Sequence, residues 1–190
     1  MKLFSDSFKE LKNIRCLVTT SMLIAVFIAL KAYATIPLGA SLRISLAFIA
    51  LAAIGMLYGP VVAMIAAIPC DLIGAMLKGD GILPAFTLVI VFEGLIYGIF
   101  LYGFDFKKSI WQNVKLISAQ AIVVFISHLI LNTIALYHYG IIGGDDSTVI
   151  ALISARVLKN VIEFPIDVAV LFALLIPIKA AYTRVIGARQ

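Results

Sequence analysis

Apolar positions in this chain run on without alternating. After a short amphipathic lead over residues 3–13, where Phe4, Phe8 and Leu11 recur at helical spacing among Lys9 and Lys12, the apolar runs reach the length a bilayer demands. A helix needs about 20 apolar residues to cross the hydrocarbon core, whereas a lead of this kind suits a helix lying in the interface. The first span is expected from Ile14 to about Ala34, closed by Pro37-Leu38-Gly39. From Ile44 to Leu77 stand 34 residues with one charge, Asp71. As one helix that run would measure about 50 Å, too long for a single crossing. Gly59-Pro60 supplies the break, glycine ending one helix and proline opening the next. The result is a short second span and a third from Pro60 to Leu77, followed by a turn at Lys78-Gly79-Asp80-Gly81. A fourth span follows from about Pro84 to Tyr102, and a fifth from about Val114 to Leu136. After a glycine-rich loop over 137–148, a sixth runs from Val149 to Ile178. The pattern predicts an all-α integral membrane protein, residues 1–190 forming a single bundle of six transmembrane helices.

Composition narrows the class. Of the residues, 63% are hydrophobic and 13% charged, with mean hydropathy +1.13; a soluble domain carries about 25% charged residues. A soluble enzyme, a nucleic-acid binder and a disordered chain are excluded. Charge placement then orients the bundle. One side receives Lys2, Lys9, Lys12, Arg15, Lys107, Lys108, Lys115, Lys179, Arg184 and Arg189, whereas the other receives Lys31, Arg43 and Lys78. Positive residues favour the cytoplasm, so both termini are expected there. Ala32-Tyr33-Ala34 has the form of a signal-peptide cleavage site, but the long lead and Lys31 just before it favour a retained first span.

The polar residues inside the spans carry the candidate chemistry. A charge at the bilayer centre costs at least about 2.5 kcal/mol, so each must face protein, water or ligand. On the sixth helix Arg156, Lys159, Asn160, Glu163 and Asp167 share one stripe. Either they pair internally, Lys159 with Glu163 at i, i+4, or the outer half of the stripe meets a ligand. His128 and Asn132 stand one turn apart on the fifth helix with Phe125 below them. Such pairs join helices as hydrogen-bonding glue, but these lie at the depth of Arg156 and Lys159. Glu93 and Asp71 sit nearer the midplane; Asp71 reads as structural. Arg43 and Lys78, in outer loops, are placed to meet an incoming anion or lipid headgroups. Together these residues outline an outward-facing pocket for a small ligand with carboxylates at one end and a flat hydrogen-bonding ring at the other. Arginine forks pair with carboxylates, and Phe86, Tyr97 or Phe125 could stack on the ring. A cationic ligand would contradict such a pocket.

Small residues mark close helix approach: Ala25 and Ala29, Ala63 and Ala67 with Cys70 and Gly74, and Gly94 with Gly98. Cys16 and Cys70 lie in separate apolar runs and read as buried hydrophobes. No nucleotide-binding loop, nucleophile elbow or zinc-protease motif is present in the sequence. Uphill transport would therefore draw on ATP hydrolysed by another subunit.

Segments along the whole chain resemble an S component of the energy-coupling factor (ECF) vitamin transporters, most closely the folate family. They are Ala25-Val-Phe-Ile-Ala29, Leu42-Arg-Ile-Ser-Leu-Ala-Phe48, Tyr58-Gly-Pro60, Asp71-Leu-Ile-Gly74, Pro84-Ala-Phe-Thr-Leu88 before Glu93-Gly94, Leu131-Asn-Thr133 and Arg156-Val-Leu-Lys159. Ala85 stands where the family pattern P-G-F-T has glycine. The resemblance implies a substrate-capturing subunit of the bacterial cell membrane without enzymatic activity or cofactor, taking up folate with high affinity. It also implies a transmembrane coupling subunit, docked by Ala25 and Ala29, and two ATPase subunits. The substrate is expected among Arg43, Lys78, Phe86, Glu93, Phe125, His128, Asn132, Arg156, Lys159, Asn160 and Glu163. Alternatives are an S component for another vitamin, such as riboflavin or a queuosine precursor, and an intramembrane enzyme on a lipid-borne substrate built around His128.

Overall fold

The computed structural model describes residues 2–37, 43–79, 81, 83–103, 110–140 and 146–186. Helix α1 (Lys2–Glu10) is the amphipathic lead, and α2 (Ile14–Tyr33) is the first long apolar helix, its N-terminus capped by Asn13 accepting from the Arg15 N–H at 3.0 Å. Two strands follow, β1 (Thr35–Pro37) and β2 (Arg43–Ser45), paired antiparallel with Thr35 opposite Ser45 and Pro37 opposite Arg43. This ribbon departs from the all-helical expectation. β-branched Thr35, Ile36 and Ile44 favour extended backbone, and pairing them delays the next helix to Phe48.

Helix α3 (Phe48–Tyr58) is short and buried along nearly its whole length. It ends at Gly59, whose φ of 84° suits glycine, and Pro60 opens α4 (Pro60–Lys78) as expected. Ser7 of α1 reinforces that corner. Its hydroxyl donates to the Tyr58 carbonyl at 2.7 Å and accepts from the Val61 and Val62 amides at 3.0 and 3.3 Å. Backbone groups left over by the helix break are thus satisfied by one buried side chain.

Helix α5 (Pro84–Leu101) makes the most extensive contact in the bundle, with α4. The small residues explain the fit. A Cβ on Gly94 would come within 2.9 Å of the Ala63 carbonyl oxygen, and one on Gly98 would overlap Pro60. The fourth-helix glycine pair therefore serves packing within the chain. The fifth apolar stretch begins as α6 (Ile110–Ile122), continues as a π-helical segment over Val123–Leu131, and ends as α7 (Asn132–His138). The final helix, α8 (Asp146–Ile186), extends beyond the expected span at both ends and carries Pro165 and Pro177 in its interior.

Among the described residues, five stretches are long and apolar enough to cross a membrane: Ile14–Tyr33, Pro60–Lys78, Pro84–Leu101, Asn113–His138 and Ile153–Arg184. At about 16 Å, α3 is shorter than a bilayer core. Seven of its ten buried residues pack with Leu101, Leu116, Leu171 and Leu175 from the surrounding helices in the main core, while Ile54 and Tyr58 join a second cluster with Cys16, Val62, Ala63 and Ala66. Many large apolar side chains elsewhere face outward, among them Met22, Leu88, Ile134 and Ile162. Such a surface suits lipid as its surroundings. Cys16 and Cys70 are free and buried.

Candidate functional site

A cavity of about 450 Å³ lies among the helices, within the range of about 300–1,000 Å³ that holds drug-sized ligands. The last two turns of α2 contribute Phe27 and Lys31, and the ribbon Thr35 and Ser45, whose hydroxyls lie 3.2 Å apart. Phe48 opens α3; Asp71 and Lys78 come from α4; Phe86 and Glu93 from α5. His128 projects from the π-helical segment and Asn132 from the start of α7. Helix α8 adds Arg156, Lys159, Asn160, Glu163 and Asp167.

Most of these charges are already matched. Lys31 Nζ lies 2.7 Å from Asp71 Oδ1, while the Thr87 hydroxyl donates to Asp71 Oδ2, also at 2.7 Å. The lysine reaches across α4 over Gly74, where a Cβ would come within 2.6 Å of Lys31 Cδ. His128 Nε2 is 3.3 Å from Glu93 Oε1, and Lys159 Nζ is 2.9 Å from Glu163 Oε2. Asp167 Oδ2 accepts from Gln120 Nε2 at 2.9 Å. Arg156 differs. It is 7% exposed, and among the described residues its Nη1 has no hydrogen-bond partner. A desolvated guanidinium N–H without an acceptor is costly, and a carboxylate meeting it would form a charge-assisted bond of the kind arginine forks make. The arrangement suits a ligand that brings negative charge to Arg156.

The structure gathers Lys78, Phe86, Glu93, His128, Asn132, Arg156, Lys159, Asn160 and Glu163 around this one cavity. Phe125 lies elsewhere. It is 46% exposed and packs against Phe164, with ring centroids 6.5 Å apart. The i→i+5 bonding of the π segment, with the Asn132 N–H donating to the Ser127 carbonyl, changes the register that straight α-helical spacing assumed. Tyr97 is fully buried and donates to Gln120 Oε1 at 2.7 Å, so it offers no face to a ligand. Phe86 presents one face to Tyr139, at a centroid distance of 6.1 Å. The Arg43 side chain lies outside the described residues, although its backbone belongs to β2. Ala25 and Ala29 are exposed on α2, and neither lines the cavity.

Sequence reasoning missed Lys31, which it treated as a topological charge, and set Asp71 aside as structural. The clue was present: Lys31 follows Phe27 by one helical turn, and both line the cavity. It also missed Gln120 and Thr87, neutral residues whose importance appears only through the carboxylates they touch.

A family model described as the ECF transporter substrate-specific component matches residues 15–175 of the chain. The chain belongs to this family. Two curated relatives of this S component are both named folate transporter FolT. One, from Leuconostoc mesenteroides subsp. mesenteroides, is 33% identical over 135 residues, covering 70% of this chain and 71% of the relative. The other, from Clostridium novyi, is 35% identical over 132 residues, covering 69% and 71%. A crystal structure of FolT bound with folic acid matches the S component at a TM-score of 0.71 and 31% identity, covering 84% of this chain and 93% of that one. The S component is accordingly a multi-pass membrane protein of FolT-like fold and a substrate-specific subunit of an ECF transporter.

Proposed function

We propose that this S component captures folate with high affinity at the outer face of a bacterial plasma membrane and delivers it through an ECF coupling subunit driven by two ATPase subunits. The observation that carries this reading is Arg156, buried at the cavity wall with an Nη1–H that lacks an acceptor among the described residues. A folate carries carboxylates on its glutamate tail that would supply one. Lys159 and Lys78 add positive field at the same cavity, and Phe86, Phe27 and Phe48 supply flat apolar surface for a ring. Glu93, His128, Asn132, Asn160 and Glu163 offer hydrogen-bonding groups along the walls.

In this reading the short helix α3 and its preceding ribbon make one of six crossings, and both termini lie in the cytoplasm, as the placement of lysine and arginine favours. The exposed Ala25 and Ala29, flanked by the exposed Met22 and Val26, would let the coupling subunit approach α2 closely. The chain itself binds and releases, and bonds in the substrate stay intact. Calorimetric titration of the purified subunit tests the reading: folate binds at one site per chain and riboflavin does not. Binding of riboflavin in place of folate, or of neither, overturns it.

A further inference from the structure

Behind the α8 wall of the cavity runs a buried polar chain that carboxylate capture alone does not require. Tyr97 on α5 and Gln120 on α6 are both fully buried, and Asp167, 2% exposed, lies at the cavity edge. The Tyr97 hydroxyl donates to Gln120 Oε1 at 2.7 Å, and Gln120 Nε2 donates to Asp167 Oδ2 at 2.9 Å. The amide sets the direction of this chain: Gln120 turns its NH₂ toward Asp167 and its carbonyl toward Tyr97, so the phenol donates. Three helices, α5, α6 and α8, are thereby tied to one carboxylate orientation.

Building such a chain is expensive. Every member is out of water, and a half-satisfied buried network is worse than an apolar core. A carboxylate held only for packing could be replaced by an apolar side chain; one held in a fixed direction at a cavity wall is suited to reading a ligand. Asp167 follows Arg156 by eleven residues on the same helix, about 16 Å along its axis. The two therefore address opposite ends of an elongated ligand, the cation at one and the acceptor at the other.

Resting on the folate reading above, we infer that Asp167 determines ring specificity by accepting from a guanidine-like donor edge, adjacent ring N–H and exocyclic NH₂, of a bicyclic amino-oxo heterocycle. Tyr97 and Gln120 act as positioning residues that aim it. A carboxylate pairs with two parallel N–H donors as it does with an arginine fork. Gln120 occupies one oxygen by a donor that cannot compete for the ligand, leaving the pairing geometry set before binding.

Calorimetry with divided ligands tests this. The probes are folate, pteroate (the ring without glutamate), p-aminobenzoylglutamate (the tail without the pterin) and 2-desaminofolate. Wild-type protein should bind 2-desaminofolate about ten- to a hundredfold more weakly than folate, the worth of one hydrogen bond to a charged group. This measurement needs no variant to fold. Asp167→Asn and Gln120→Met should weaken folate and pteroate by similar factors, leave p-aminobenzoylglutamate unchanged, and erase the difference between folate and 2-desaminofolate. Tyr97→Phe should act in the same direction more weakly. Equal losses on ring and tail fragments would mark a merely structural role and overturn the inference, as would undiminished discrimination against 2-desaminofolate in Asp167→Asn. If wild-type protein binds folate but ignores the 2-amino group, this inference alone falls. If it binds no folate at all, the functional reading falls first.

Discussion

Replacing Arg156 by methionine should separate binding from stability, moving the two in opposite directions. Arg156 is 7% exposed, and among the described residues its Nη1 has no acceptor. A buried donor left unsatisfied costs about 1–3 kcal/mol, more when charged. Methionine is unbranched, flexible and apolar, so it can fill much of the same path. The ligand-free variant should therefore melt at the wild-type temperature or above it, by about 2–4 °C for each kcal/mol recovered. Binding should collapse. Hydrogen bonds to charged groups are worth about 1.5–3 kcal/mol each, and a bidentate pair to a carboxylate forfeits two. A loss of about 3–5 kcal/mol weakens folate by two to four orders of magnitude. Arg156→Lys keeps the charge and loses the fork, and should fall between the two. Differential scanning fluorimetry and calorimetry in the same detergent read both quantities. A variant that melts several degrees lower while binding folate within threefold of wild type would refute the reasoning. It would show that Arg156 is matched within the protein and serves the fold.

Other outcomes follow from the same contacts. Asp71→Leu strands the part-buried Lys31, which lies 2.7 Å from it, and should cost about 3–5 kcal/mol, most of it regained in Lys31→Met/Asp71→Leu; thermal melts of the two singles and the double check this. Ser7→Ala removes three hydrogen bonds at the α3–α4 corner and should cost about 1–3 kcal/mol, with faster amide exchange at Val61 and Val62 by mass spectrometry. Gly98→Ala sets a methyl against Pro60 and should lower the yield of monodisperse protein, because overpacking a close helix contact costs about 1–3 kcal/mol or more. Widening the α2 face with Ala25→Leu/Ala29→Leu should leave folate binding by the isolated subunit unchanged and abolish uptake in reconstituted vesicles containing the coupling and ATPase subunits.

The long helices were legible because bilayer length and Gly59-Pro60 punctuation leave a clear trace in sequence. The ribbon at Thr35–Pro37 and Arg43–Ser45 was not, since two three-residue strands vanish beside long apolar runs. Helix spacing correctly grouped the α8 stripe because a regular helix keeps its period past Glu163. It failed on Phe125, where the π segment breaks that period and nothing in Val123–Leu131 announces it. Isolated charges were visible one at a time, but their partners were not. Lys31 and Asp71 are forty residues apart and meet only because α2 packs on α4 over a glycine. The buried Tyr97–Gln120–Asp167 chain draws on three helices, so no local pattern could have revealed it.

The central claim is that this S component alone binds folate through a buried cationic end of its cavity. Its most direct test is calorimetric titration of folate into the purified subunit, wild type beside Arg156→Met, in one detergent and buffer. Wild type should show one site per chain with sub-micromolar affinity, and the variant at least a hundredfold loss. No heat of binding in wild type, or equal affinity in both proteins, would contradict it.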